Sequence, residues 1–161
     1  MHERGFAARI CDELAVLRDG GAPLDVLLKH AVQSLHEESP SFDWTGIYEL
    51  FPDQKLRLGP FVGAPTEHVF ISVGSGVCGS AVAQKRNLNI PDVSKASNTL
   101  ACSTATKSEL VVLIRRDEKI YAQIDIDSHQ LHAFDDATVA EVERLADWLA
   151  EAYEQRFCAV G

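Results

Sequence analysis

The sequence predicts an α+β fold: a central antiparallel β-sheet of about five or six strands flanked by helices, with the N- and C-terminal helices packed together. Three observations carry this expectation. Apolar residues recur at helical spacing at both ends of the chain. Between them the pattern changes to short runs rich in aromatic and branched residues, punctuated by turn residues. The resulting order of helix, helix, strands, short helix, strand hairpin and helix suits an antiparallel sheet covered by helices.

Phe6, Ile10, Leu14 and Leu17 define a first helix that ends at Gly20-Gly21. Leu24, Leu27, Leu28, Ala31, Val32 and Leu35 define a second, which stops before Pro40. Trp44 to Phe51 reads as a strand, turned at Pro52-Asp53-Gln54 into a mate from Lys55 to Phe61. His68 to Val73 is a third strand, and Gly76 to Lys85 a short helix carrying Cys78. After a brief extended piece at Leu88–Ile90, Pro91 to Ala105 is rich in Ser, Thr, Asn and Asp and reads as a long loop. Ser108 to Arg115 and Lys119 to Ser128 form a hairpin across Arg116-Asp117-Glu118. A final helix starts near Asp135, with a stripe of Val139, Val142, Leu145, Leu149 and Tyr153.

The length of 161 residues suits one domain, 1–161, with a core of its own. Apolar residues at 46% and charged residues at 24% describe a globular chain rather than a disordered one. A net charge of −9 opposes a nucleic-acid partner, because phosphate binding needs a basic face. No apolar run reaches membrane-spanning length, and Met1-His2-Glu3-Arg4 leads straight into helical pattern, so neither a membrane nor a secretory leader is expected. A cytoplasmic location follows as an expectation, and there the four cysteines would be fillers, ligands or reactive groups. With no Cys-x-x-Cys or His-Glu-x-x-His pattern, no metal is expected.

Cys102 stands in the polar segment Ala101-Cys102-Ser103-Thr104, a poor place for a core filler. Cys78 lies in Gly74-Ser75-Gly76-Val77-Cys78-Gly79, which matches the spacing of a dinucleotide turn. The helix that follows is too short for a parallel βαβ unit, so the glycines are read as a tight turn placing Cys78 at a helix start. Such a position favours the thiolate, although Cys78 as a small buried hydrophobe is an equal alternative. Cys11 and Cys158 are read as fillers of the terminal helices. Asp125 and Asp127 are two apart on a strand and share a face, which is costly unless a cation or hydrogen bonds compensate. Trp44 and Tyr48 also share a face and are read either as a pocket wall or as core.

Several pieces together resemble the free methionine-(R)-sulfoxide reductases, single GAF-fold domains that reduce the free amino acid sulfoxide. They are Trp44 with Tyr48, Leu58-Gly59-Pro60-Phe61, Gly76-Val77-Cys78-Gly79, Pro91-Asp92-Val93, Ala101-Cys102, Ser108-Glu109-Leu110-Val111 and Asp125-Ile126-Asp127-Ser128. The resemblance implies Cys102 as nucleophile, Glu109, Asp125 and Asp127 as the groups that bind and activate the substrate, and Trp44 and Tyr48 as its aromatic wall. It implies a Cys102 sulfenic acid, resolved by Cys78 or an external thiol, with thioredoxin and NADPH as the external reductant and no bound cofactor. The chain departs from the pattern where a further cysteine, often the resolving one, is replaced by His68. It departs again at Asn98-Thr99-Leu100, Ser103, Leu113 and Ala122. An alternative expectation is a diverged, non-catalytic GAF domain that senses an amino-acid-like ligand or redox state through a Cys78–Cys102 disulfide. A homodimer through the terminal helices is compatible with either function.

Overall fold

The computed structural model describes residues 5–96 and 105–160, with side chains of the last helix through Arg156. Two helices, α1 (Phe6–Asp19) and α2 (Leu24–His36), precede the strands β1 (Trp44–Phe51), β2 (Lys55–Val62) and β3 (Phe70–Ser72). Helix α3 (Gly76–Gln84) leads to β4 (Leu88–Ile90) and then to β5 (Ser108–Arg116), β6 (Lys119–Ser128) and α4 (Asp136–Val160). The strands form one six-stranded sheet in the order β3-β2-β1-β6-β5-β4, every pair antiparallel. The expected class and strand number hold.

The two sheet faces differ because side chains alternate along each strand. Leu110, Val112 and Ile114 of β5 and Ala122, Ile124 and Ile126 of β6 face α1, α2 and α4, forming the larger core with Ile10, Leu14, Leu28, Val32, Leu145 and Leu149. Glu109, Val111 and Leu113, with Gln123, Asp125 and Asp127, therefore project to the opposite face, toward α3. There a smaller core gathers Trp44, Tyr48, Leu56, Ile71, Val77, Cys78, Ala81 and Val111. The terminal helices pack together as expected. Glu141 of α4 accepts a hydrogen bond from the Ala7 N–H at 3.3 Å, serving as the cap that α1 lacks in its own sequence. The Arg18 guanidinium lies 4.9 Å from the centre of the Trp148 ring.

Two elements differ from expectation. The third strand covers Phe70–Ser72 rather than His68 to Val73, because the Val69 N–H turns back to the Glu67 carbonyl at 2.9 Å. Within the segment read as a loop from Pro91, Val93–Lys95 forms a 3-10 turn whose Asp92 side chain accepts from the Ser94 N–H. The Cys102 end of that loop lies outside the described residues, as do Asn98-Thr99-Leu100 and Ser103.

Candidate active site

The register of β1, β6 and β5 builds the site in rows. Asp127 stands between Trp44 and Glu109, Asp125 between Gly46 and Val111, and Gln123 between Tyr48 and Leu113. Two carboxylates from β6 thus meet a third from β5 on the α3 face. All are buried: Glu109 is 4% exposed, Asp125 1% and Asp127 2%. Helix α3 lies over them and brings in Cys78, also 4% exposed, whose Sγ lies 3.9 Å from Glu109 Oε2.

Three carboxyl groups buried together cannot all carry charge. Burial first, and then the Asp125 and Asp127 charges, push Glu109 well above the usual carboxylate range. A hydrogen bond to Asp125 and the nearness of Asp127 act in the same direction, which makes Glu109 the protonated member of the cluster and the donor to Asp125. Burial also raises Asp125, an effect opposed by the hydrogen bonds it receives from Glu109 and Cys78. Among the described residues Asp125 Oδ1 has no hydrogen-bond partner, which leaves a buried acceptor available to a ligand.

Cys78, for which a helix-start thiolate and a small buried hydrophobe are equal expectations, is buried, which favours the second. It does sit in the first turn of α3, yet its thiol is pushed well above the ordinary range. Complete burial is the largest cause, followed by Asp125, Glu109 and Asp127. A helix dipole lowers a thiol only modestly and is outweighed here by desolvation and three acidic neighbours. Cys78 is therefore a protonated thiol at neutral pH. Cys11 behaves as the expected filler, packed against the helical core, with burial first among the causes raising it to about 11. The Cys158 side chain lies outside the described residues.

Trp44 and Tyr48 form the wall beside the acidic rows, their ring centroids 6.2 Å apart, and Phe61 stacks on Trp44 at 5.6 Å. The Trp44 Nε1–H donates to the Ala64 carbonyl at 3.1 Å. The Tyr48 hydroxyl donates to the His68 carbonyl at 2.8 Å, so the backbone of position 68 touches this wall. Gly46 lets the indole lie across β1, since a Cβ there would stand 2.5 Å from the Trp44 ring. Gly79 likewise lets α3 settle on the end of β3, since its Cβ would stand 2.4 Å from the Ser72 carbonyl oxygen. The dinucleotide reading of these glycines finds no support, because α3 spans nine residues and its flanking strands pair antiparallel.

Sequence reasoning missed Gln123. It is fully buried, and its Nε2 donates to the Cys78 carbonyl at 3.0 Å. Its shared parity with Asp125 and Asp127 was the available signal. Cys78, Glu109 and Asp125 could offer a cation three ligand atoms lying within 4.8 Å of one another. Their raised proton affinities work against that use, since metal binding would have to expel protons from thiol and carboxyl alike.

A curled antiparallel sheet with helices on one face and a small enclosed polar site on the other defines the GAF class, and the GAF domain family model matches residues 23–153. The free methionine-R-sulfoxide reductase of Escherichia coli is 34% identical over 136 residues, covering 84% of this chain and 81% of that protein. The chain belongs to the GAF-domain family and, within it, to the free methionine-R-sulfoxide reductases. GAF domain-containing protein A of Dictyostelium discoideum is 38% identical over 100 residues, covering 62% of this chain and 63% of that protein, so the match spans less than two thirds of that relative. The crystal structure of the Neisseria meningitidis free methionine-R-sulfoxide reductase in complex with its substrate is similar over 99% of this chain and 96% of that one, with a TM-score of 0.85 and 26% identity.

Proposed function

We propose that this chain, acting as a single-domain enzyme, reduces free L-methionine (R)-sulfoxide to methionine at the site roofed by α3. The observation that carries the reading is the buried Glu109, Asp125 and Asp127 cluster, with Glu109 holding a proton beside an unpartnered Asp125 oxygen. Relatives that bear this activity in their names support it. A free amino acid offers an ammonium group for the carboxylates and a sulfoxide oxygen that needs a proton, while its methylene chain suits an aromatic wall of Trp44 and Tyr48.

Cys102 attacks the sulfoxide sulfur while Glu109, seated against Asp127, gives its proton to the sulfoxide oxygen. The substrate's S–O bond breaks as the oxygen passes to the Cys102 sulfur, giving a sulfenic acid and methionine, and the Cys102 thiol proton replaces the one that Glu109 gave. Cys78 then attacks that sulfenic sulfur, and its proton departs with the hydroxyl as water, leaving a Cys78–Cys102 disulfide. Thioredoxin, itself recharged from NADPH, returns both thiols, so the electrons are supplied without a bound cofactor. Such a cycle belongs in a reducing compartment, the cytoplasm. No helix among the described residues is long and apolar enough to cross a membrane. The homodimer expected from the terminal helices remains part of the reading. His68 occupies the place of the family's further cysteine and, on this reading, leaves Cys78 as the internal resolver.

Mixing the protein with one equivalent of each separated epimer, without thioredoxin, tests the chemistry. Methionine should form from the (R)-epimer alone, with Cys102→Ser abolishing it. Binding of the sulfoxide without any methionine would favour a ligand sensor instead.

A further inference from the structure

Helix α3 is held over the acidic rows from two sides. On one, the Gly79 N–H donates to the Ser75 carbonyl and the Gly74 N–H to the Gly79 carbonyl, both at 2.9 Å, while the backbone of α3 lies too close to Ser72 for any side chain at position 79. On the other, Gln123 reaches up from β6 and donates to the carbonyl of Cys78 itself. Gln123 is fully buried, and its carbonyl oxygen has no hydrogen-bond partner among the described residues. A buried amide with one end unsatisfied carries a free-energy cost, which a purely apolar side chain at this position would avoid.

We propose that Gln123 is a positioning residue for the second half of the reaction: it fixes the backbone of Cys78, the thiol that on the proposed reading attacks the oxidised Cys102. The inference rests on the reading of Cys78 as the resolving thiol. Cys78 is a poor nucleophile by charge, being a buried and protonated thiol among carboxyl groups. Its rate of attack therefore depends on placement, and an error of an ångström is costly in such a step. Gln123 does not touch the sulfoxide chemistry on this account. Its loss should spare the first turnover and slow only disulfide formation.

The test is a single turnover with one equivalent of methionine (R)-sulfoxide, quenched at intervals with an alkylating agent. Methionine and the Cys78–Cys102 disulfide are then quantified separately. Gln123→Met keeps the volume and removes the donor; Gln123→Asn keeps the amide but shortens its reach. Each should release methionine at the native rate and form the disulfide about tenfold more slowly or worse. Gln123→Glu, buried beside acidic groups and so protonated, supplies an O–H donor at the same distance and should recover most of the native rate of disulfide formation. That rescue would not occur if position 123 served only to fill space. Native disulfide rates in both Gln123→Met and Gln123→Asn would overturn the proposal, as would methionine release and disulfide formation falling together. Should the native protein release methionine yet form no Cys78–Cys102 disulfide, Cys78 is not the resolver and the proposal falls with that reading. Failure to release methionine at all would instead overturn the proposed function.

Discussion

In the proposed mechanism Glu109 is the residue on which the chemistry turns, because a carboxyl group can act as an acid near neutral pH only if it keeps its proton there. Burial and two acidic neighbours arrange this. Glu109→Gln preserves shape and removes the acid, so the rate of single-turnover methionine formation should drop by about a hundredfold or more. The same shift has a thermodynamic signature. The folded state holds a proton at Glu109 that the unfolded chain has already released above the ordinary Glu range. Stability is then full at low pH and is lost as pH rises from that range through the folded value. Glu109→Gln is free of that loss. Urea unfolding at pH 5 and pH 8 should show its stability relative to the native chain growing with pH, by on the order of one kcal/mol per unit until Glu109 ionises. An advantage that is constant or shrinks with pH would mean that Glu109 is already charged. Position 68 gives a further residue-scale expectation. His68→Cys returns a thiol beside the aromatic wall and should speed recycling at limiting reductant, read as the steady-state rate at constant methionine burst.

At the scale of elements, β1, β5 and β6 each carry two faces with different work. Glu49 of β1 points to the helical layer and accepts a hydrogen bond from the Tyr153 hydroxyl of α4 at 2.6 Å. Tyr153→Phe should therefore cost about 1–3 kcal/mol in urea unfolding and leave the kinetics unchanged. Gly46 of β1 faces the other way, beneath the Trp44 indole. Gly46→Ala should displace that ring and lower kcat/KM roughly ten- to a hundredfold, mainly through KM. Equal effects of both substitutions on stability and kinetics would deny that the two faces are separate. The alternation responsible was legible in the chain, since Asp125 and Asp127 share a parity that any strand must respect. That Glu109 joins them was read from family resemblance, because the β5–β6 hairpin that pairs it with Asp127 carries a register irregularity between Ile114 and Arg115 that the turn residues do not announce. The pairing of β1 with β6 depends further on how the whole sheet closes.

For the molecule as a whole, the helical periodicity at the two ends and the hairpins between them were enough to read an α+β fold. Local pattern decides those elements, so their bounds moved by only a few residues, β3 included. What could not be read locally was burial. Cys78 read equally as a helix-start thiolate or a small buried hydrophobe, and the structure makes it a buried, protonated thiol, because α3 closes over three carboxyl groups that lie far away in sequence. Gln123 was passed over for the same reason, its meaning lying in a carbonyl 45 positions distant. On the proposed reading this enclosed acidic site serves the reduction of a small free sulfoxide. That link is tested most directly by following NADPH oxidation through thioredoxin reductase and thioredoxin, with the two epimers of free methionine sulfoxide supplied separately. Sustained oxidation is expected with the (R)-epimer and none with the (S)-epimer. No oxidation with either epimer, from a protein that binds the (R)-sulfoxide, would contradict that reading.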